Sequence, residues 1–448
     1  MIASLAVPFV ANSAVQAVLN LTDTWFIGRI STQDVAAIGA VYWLVLVVIL
    51  LLGGVGLAVQ TVVAQAFGAG RYRRAAQSTW TALWGTLLTV PVFVACAWLG
   101  GPMLALARID PAVAALAVDY WGPRIAFAWI GVALWSVLGF FNGIGRPRIT
   151  LLVTLGTALL NALLNQLLIF ELGLGIAGAA WATSAAMLIG LVVALAIFAA
   201  RWIDRDYRSR LTWRPHARRL LAQFKLGFPM GLLFAADLLG FALFQLMQVR
   251  LSAVDGAATQ IAMMLTSLAY FPAAGLAMAG TTLVGQSIGA GDRGWARQLG
   301  NAVIYACTAY MALTGLALAL CGPWLMSLFV ATDDPLASEV IALGAFILWI
   351  AAAYQLFDGL NLGSSFCLRG AGDAFVPAAM VIVLSWFLFV PLAHVLTFAP
   401  GQGWIDAMPQ LGWGATGGWT AAVLYISALG ITMFLRWRSR AWEGLRLR

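Results

Sequence analysis

A chain of 448 residues that is 62% hydrophobic and only 9% charged falls far below the roughly one-quarter charged composition of soluble globular domains. Its 25 basic and 17 acidic residues leave a net charge of +8, with two histidines and four scattered cysteines, which argues against a His-based zinc site or a disulfide framework. Apolar runs of about 20 residues recur throughout, each enough to cross a hydrocarbon core, and the short alternating segments of a membrane β-barrel are absent.

The fold class expected is therefore an all-α polytopic membrane protein. Taken in order, apolar runs and their Gly, Pro and charge breaks predict twelve spans, at 4–27, 36–67, 77–100, 116–141, 149–170 and 176–200, then 226–249, 258–288, 297–320, 338–367, 376–398 and 415–435. The first run lacks a basic leader and a small-residue cleavage site, so it reads as a span rather than a signal peptide. Of the basic residues, 21 fall in loops after even-numbered spans or at the C-terminus, and four (Arg29, Arg108, Arg124, Arg250) on the opposite side. By the positive-inside rule both termini and the 201–225 linker face the cytoplasm, and the net charge is a topology signal with no nucleic-acid partner implied. Near-exclusive use of Arg over Lys fits a GC-rich bacterial genome and a bacterial inner membrane. Cys96, Cys307, Cys321 and Cys367 read as buried, inert thiols.

The two halves repeat. "VVAQAFGAGRYRRAAQ" (62–77) aligns with "LVGQSIGAGDRGWARQ" (283–298) at an offset of 221, which also pairs Pro8 with Pro229 and Ser31 with Ser252. "GIGRPR" (143–148) matches "GAGDAF" (370–375) at offset 227. Six spans per copy make a parallel repeat, so the expected domains are a six-helix lobe at 1–200, the basic linker 201–225, a second lobe at 226–435 and a tail at 436–448. The pairs Gly139/Gly143, Gly227/Gly231, Gly285/Gly289 and Gly359/Gly363 predict close helix crossings, and the GAG and GIG turns have neither the preceding strand nor the GK[ST] of a phosphate loop.

Polar residues inside spans mark candidate sites. At 100° per residue, Asn12, Gln16, Asn20 and Asp23 share an arc of about 80° on span 1. A carboxylate in hydrocarbon is costly, so this face must meet protein or water. Thr154, Thr157, Asn161 and Asn165 form a matching face on span 5, and Thr183 on span 6 can join them. In the second half, Tyr354, Asp358, Asn361 and Ser365 share a face of span 10, and Asp237 lies in span 7. Met263, Met264, Tyr270 and Phe271 offer a polarizable wall for flat cations, with ordinary packing as the alternative reading. Acids near turns (Asp34, Asp110, Asp255, Asp333, Asp334) read as caps or solvated groups, and Asp373 as the partner of Arg369.

An early-span Pro and Asp, the "Q…GAG" motifs, "GIGRPR", "LGFPMG" (226–231) and "FDGLNLGSSFCLRGAGD" (357–373) together resemble the multidrug and toxic compound extrusion (MATE) family over nearly the whole chain. Within it the chain is similar to the bacterial branch named for the DNA-damage-inducible protein F. The resemblance implies two six-helix lobes and export of organic cations driven by inward H⁺ or Na⁺, with no cofactor and no enzymatic activity. It places Asp23, Asn161 and Thr183 at the family's first-lobe cation site, a possible Na⁺ position, whereas Asn165 stands where some members carry a second Asp. Asp358 matches an acidic family position, and Asp237 one of another branch. The implied partners are small cationic or amphipathic molecules and membrane lipids, with a monomeric chain. The reading is an alternating-access antiporter in which proton and cationic substrate compete for the acids. Gln16, Asn20, Met263, Met264 and Tyr270 then line the cavity, and Pro8 acts as a hinge. A lipid-linked oligosaccharide flippase of the wider superfamily is the alternative, though it calls for mid-span cations that are nearly missing. An intramembrane transferase is weaker still, because "TDDPLASE" (332–339) lacks DDxxD spacing.

Overall fold

In a computed structural model of the chain, residues 2–106, 111–330 and 335–445 are described. Asp110, Asp333 and Asp334 lie outside them, as does the side chain of Asn20. The regular structure among the described residues is helical, joined by turns and irregular loops, as a chain in lipid requires: each backbone N–H and C=O of a span must be satisfied within its own segment. The first half comprises α1 (Ile2–Gly28), α2 (Thr32–Gly68), α3 (Tyr72–Leu106), α4 (Pro111–Ala126), α5 (Ala128–Gly143), α6 (Pro147–Asn165), α7 (Gly175–Phe198) and a short α8 (Arg201–Tyr207). The second comprises α9 (Ala217–Leu251), α10 (Ala253–Gly289), α11 (Arg293–Leu320), α12 (Gly322–Ser327), α13 (Ala337–Ala371), α14 (Phe375–Leu384), α15 (Val390–Thr397) and α16 (Gly414–Arg438). All twelve predicted spans fall on these helices. Ten helical segments are long and apolar enough to cross a membrane by themselves, and α4 with α5 makes an eleventh.

Three features depart from expectation. Span 4 is bent by 41° at Phe127, between α4 and α5, where the Phe127 N–H still bonds back to the Pro123 carbonyl at 3.2 Å. Spans 5 and 11 each contain a π-helical turn, at Gln166–Glu171 and Ser385–Phe389. Of the four thiols expected to be buried, Cys307 and Cys367 are, whereas Cys96 is half-buried and Cys321 is exposed in the turn that ends α11.

The repeat is visible in the turns. Ser31 caps α2 by accepting from the Asp34 N–H at 3.1 Å, and Ser252 accepts from the Asp255 N–H at 3.0 Å, so the serines are the caps and both acids sit in the first turn behind them. Gly70 and Gly291 take positive φ (66° and 84°), as do Gly145 and Gly372 (76° and 88°), a conformation that a Cβ would strain.

Contacts divide the chain into two units. The first holds residues 1–235 and 281–296, and the second 236–280 and 297–446, leaving aside the last two residues. In the first unit α6 is amphipathic in the sense opposite to a soluble helix. Thr150, Thr154, Thr157, Asn161 and Asn165 are buried, whereas Leu152, Leu159 and Leu163 are 68%, 60% and 69% exposed. Gly139 and Gly143 of α5 pack on Val59, Gln60 and Val63 of α2, and Gly227 and Gly231 of α9 pack directly on the α2 backbone around Gly54. The ends of α2 and α10 meet reciprocally: a Cβ on Gly68 would lie 1.9 Å from the Gln286 carbonyl oxygen, and one on Gly289 would lie 2.1 Å from that of Gln65. Buried hydrogen bonds tie the same region, from Gln60 to Thr282 (3.0 Å) and from Thr282 to the Asn142 carbonyl (3.0 Å).

In the second unit Gly359 and Gly363 seat α13 on the α11 backbone at Cys307–Thr308 and Ile304. Its basic end is held by a stacked pair, Trp437 on Trp442 at 4.6 Å, with the Trp437 N–H donated to Asn301. Asp373 is not paired with Arg369 as the turn sequence implied. Arg436, 63 residues away on α16, donates to it at 2.8 Å, while the Arg369 guanidinium lies over the Phe366 ring. Asp373 is almost fully buried, so Asp373→Asn leaves Arg436 facing a neutral group. The expected cost is about 1.5–3 kcal/mol, read as earlier thermal unfolding of the detergent-purified protein.

Candidate functional site

The first unit gathers four of the residues singled out from sequence. Asn165 donates to Asp23 Oδ1 at 2.7 Å and to Asn161 Oδ1 at 3.3 Å. The Thr183 hydroxyl lies 3.4 Å from Asp23 Oδ2, and Asn161 donates to that hydroxyl at 3.2 Å. Helix spacing explains the convergence: Asn161 and Asn165 are one turn apart on α6, directly before the π turn, and Thr183 faces them from α7. Asn161, Asn165 and Thr183 are buried. The Asn165 Oδ1 has no partner among the described residues, and neither has Asn12 Oδ1, which is buried farther along α1. Gln16 is half-buried between Asn12 and Asp23. Pro8 is buried, and α1 runs through it without a break.

One charged neighbour was not anticipated. Arg124 of α4, counted from sequence only as a loop cation, lies close enough to act on the charge of Asp23. Its position after an apolar turn gave no hint of the partner.

The second unit holds a separate acidic cluster. Asp237 accepts from the Tyr425 hydroxyl at 2.6 Å, and Asp358 from Asn361 at 3.4 Å. The two carboxylates lie within electrostatic range of each other, and both act on Tyr354 and Tyr270. Aromatic rings enclose them: Phe241 sits against Tyr354, Phe389 and Tyr425 at 6.2, 5.2 and 6.3 Å, and Phe389 stacks on Tyr425 at 4.9 Å. Tyr425, Phe241 and Phe389 are contributions that sequence reading missed. Phe389 closes the second π turn, and such turns recur at functional sites, but a π turn leaves no mark on the hydrophobic pattern from which it could have been read. Of the wall expected on α10, Tyr270 joins the cluster electrostatically, Met263 is half-buried and Met264 exposed. Among the described residues no three His, Cys, Asp or Glu side chains gather as a metal site.

Two polar clusters, each built on a carboxylate inside an apolar helix bundle, narrow the field to membrane proteins that handle charged cargo or ions. The family profile described as MatE matches residues 8–167 and 229–395, one block in each half of the repeat. The chain belongs to the MATE family. This MATE protein is therefore a transporter and not an enzyme. It is 30% identical over 97% of its length to a probable multidrug resistance protein NorM of Rhizobium meliloti, 91% of which is covered. It is also 30% identical over 90% of its length to the multidrug resistance protein NorM of Burkholderia vietnamiensis, 87% of which is covered. Its fold matches a crystal structure of a MATE in complex with MaL6, with a TM-score of 0.86 at 20% identity, covering 98% of this chain and 95% of that one.

Proposed function

We propose that the chain is a secondary active antiporter that exports small organic cations in exchange for H⁺, working by alternating access from a bacterial inner membrane with both termini cytoplasmic. The names of the NorM relatives support the substrate class. The observation that carries the exchange is the environment of Asp23. Its oxygens take hydrogen bonds from the neutral Asn165 and Thr183, beside the unpartnered Asn165 Oδ1. A carboxylate held this way can be discharged by a proton or balanced by a cation, and the two compete. Release of one then favours the state that accepts the other. Na⁺ would find oxygen ligands at Asp23, Asn161 and Thr183, but a single carboxylate among neutral side chains suits a proton better. Pro8, with no amide hydrogen to donate, gives α1 a place to bend as Asp23 changes state.

In the second unit Asp237 and Asp358, walled by Tyr354, Phe241 and Tyr425, suit a flat organic cation, with Asn361 holding Asp358 in place. Asp358→Asn should raise the KM for a monovalent dye about tenfold, the loss of one poorly screened attraction worth at least ~1.4 kcal/mol. Ethidium efflux from proteoliposomes checks this. The antiport reading is tested in the same vesicles. Efflux driven by an imposed pH gradient without Na⁺ supports H⁺ exchange, efflux needing a Na⁺ gradient replaces the ion, and efflux needing neither gradient rejects antiport.

A further inference from the structure

The first unit carries a second charged feature, at residues to which the proposed exchange assigns no part. At the Arg-rich end of its helices, a cavity of about 680 Å³ lies between the α2–α3 turn, α8 and the start of α9. Arg71, Arg73, Arg74 and Arg219 line it, with Gln77 and a single carboxylate, Asp206. Among the described residues none of these four arginines has an ion-pair partner. Arg71 and Arg219 press on Arg74 with like charge, although Arg219 arrives from more than 140 residues away along the chain.

This crowding is built into a fixed frame. Gly70 turns the chain at positive φ, and the Arg71 N–H bonds back to the Ala66 carbonyl at 2.8 Å. Arg219 donates to Gln77, which draws the start of α9 against α3. The linker is pinned along α3 by two indole N–H groups, from Trp80 to the Ser209 carbonyl and from Trp84 to the Trp213 carbonyl, each at 2.7 Å. Tyr72 packs against both Phe67 and Tyr207, and burial pushes the Tyr207 phenol up to about 12, so that wall stays neutral. Four guanidiniums held together against one carboxylate repel one another, and a multivalent anion offsets that repulsion. Beside them the linker exposes Leu211 (68%) and Trp213 (48%), apolar and amphipathic groups of the kind found at headgroup level.

We propose that this arginine-lined cavity binds a phosphate-bearing anion, either the headgroup of an anionic phospholipid or a soluble polyphosphate. The fork of each guanidinium matches phosphate oxygens, and a basic recess between helix ends is the expected seat for a headgroup with two phosphates. The site shares no residue with the clusters around Asp23 and Asp358, so it stands or falls independently of the antiport reading.

The test uses the full chain, purified in neutral detergent and stripped of lipid, with binding read by native mass spectrometry. The probes are tetraoleoyl cardiolipin, dioleoyl phosphatidylcholine and inorganic pyrophosphate. Wild type should bind cardiolipin about tenfold tighter than phosphatidylcholine, and R71Q/R74Q/R219Q should lose that preference with unchanged helical circular dichroism. The triple lysine variant, which keeps the charge, should retain a preference. If the glutamine triple variant loses helix, R74Q and R219Q alone should each weaken cardiolipin binding about threefold. Cardiolipin binding that pyrophosphate does not displace assigns a lipid headgroup, and binding or displacement by pyrophosphate assigns a soluble anion. Both support the site. No preference for either anion in wild type, or equal anion binding by wild type and glutamine variants, overturns it.

Discussion

Asp23→Asn should bring gradient-driven ethidium export in proteoliposomes down to the level of empty vesicles, with protein yield and thermal unfolding unchanged. The substitution is nearly isosteric: the amide oxygen can still accept from Asn165, and the new amide N–H can donate to the Thr183 hydroxyl oxygen, so the packing of α1 on α6 and α7 survives. What disappears is the only group of the cluster that can trade a proton for a cation. The gradient-driven component is then lost altogether, because a group that stays neutral cannot exchange a proton for a cation. Asp23→Glu keeps the charge on a longer stem and should retain part of the activity. Full activity in Asp23→Asn under a pH gradient would remove Asp23 from the coupling step and direct attention to Asp237 and Asp358.

Gly54→Val should force two helix backbones apart and destabilise the fold. A Cβ at this position would sit 2.1 Å from the Gly227 carbonyl oxygen and 2.8 Å from the Gly231 nitrogen. Both neighbours are backbone, so no side chain can swing aside, and α2 and α9 must separate. Overpacking of this kind costs about 1–3 kcal/mol or more. The expected readout is a fall in folded yield and in unfolding temperature. Gly156→Ala is the control, because a Cβ there meets nothing within 4 Å and the helix gains a better former. Equal stability of the two variants would mean that the α2–α9 crossing is looser than its spacing implies.

Much of this was legible in the chain. Span positions follow from apolar length, which in lipid dictates helix, and the repeat follows from paired turns such as Gly70 and Gly291. The convergence of Asn161 and Asn165 follows from their four-residue spacing. Partners set by tertiary packing left no such trace. Tyr425 reaches Asp237 across 188 residues, and Arg436 reaches Asp373 across 63, where the nearer Arg369 was the natural choice from the turn alone. Arg124 looked like one more loop cation because charge counting records sides of a membrane, not depth. The break at Phe127 and the two π turns are local backbone features, invisible to a periodicity of 3.6.

The reciprocal meeting of Gly68 with Gln286 and of Gly289 with Gln65 has the form of an isologous contact, in which position i of one copy touches position j of the other and the reverse. Such a contact is what two identical six-helix chains would make across a two-fold axis. Both glycines and both glutamines are equivalent positions at the offset of 221, so one rule of the repeat, a residue without a Cβ facing a carbonyl oxygen, is used twice at a single crossing. The acids follow no such rule: position 244, the equivalent of Asp23, is a phenylalanine, so the repeat keeps its crossing where it does not keep its charges.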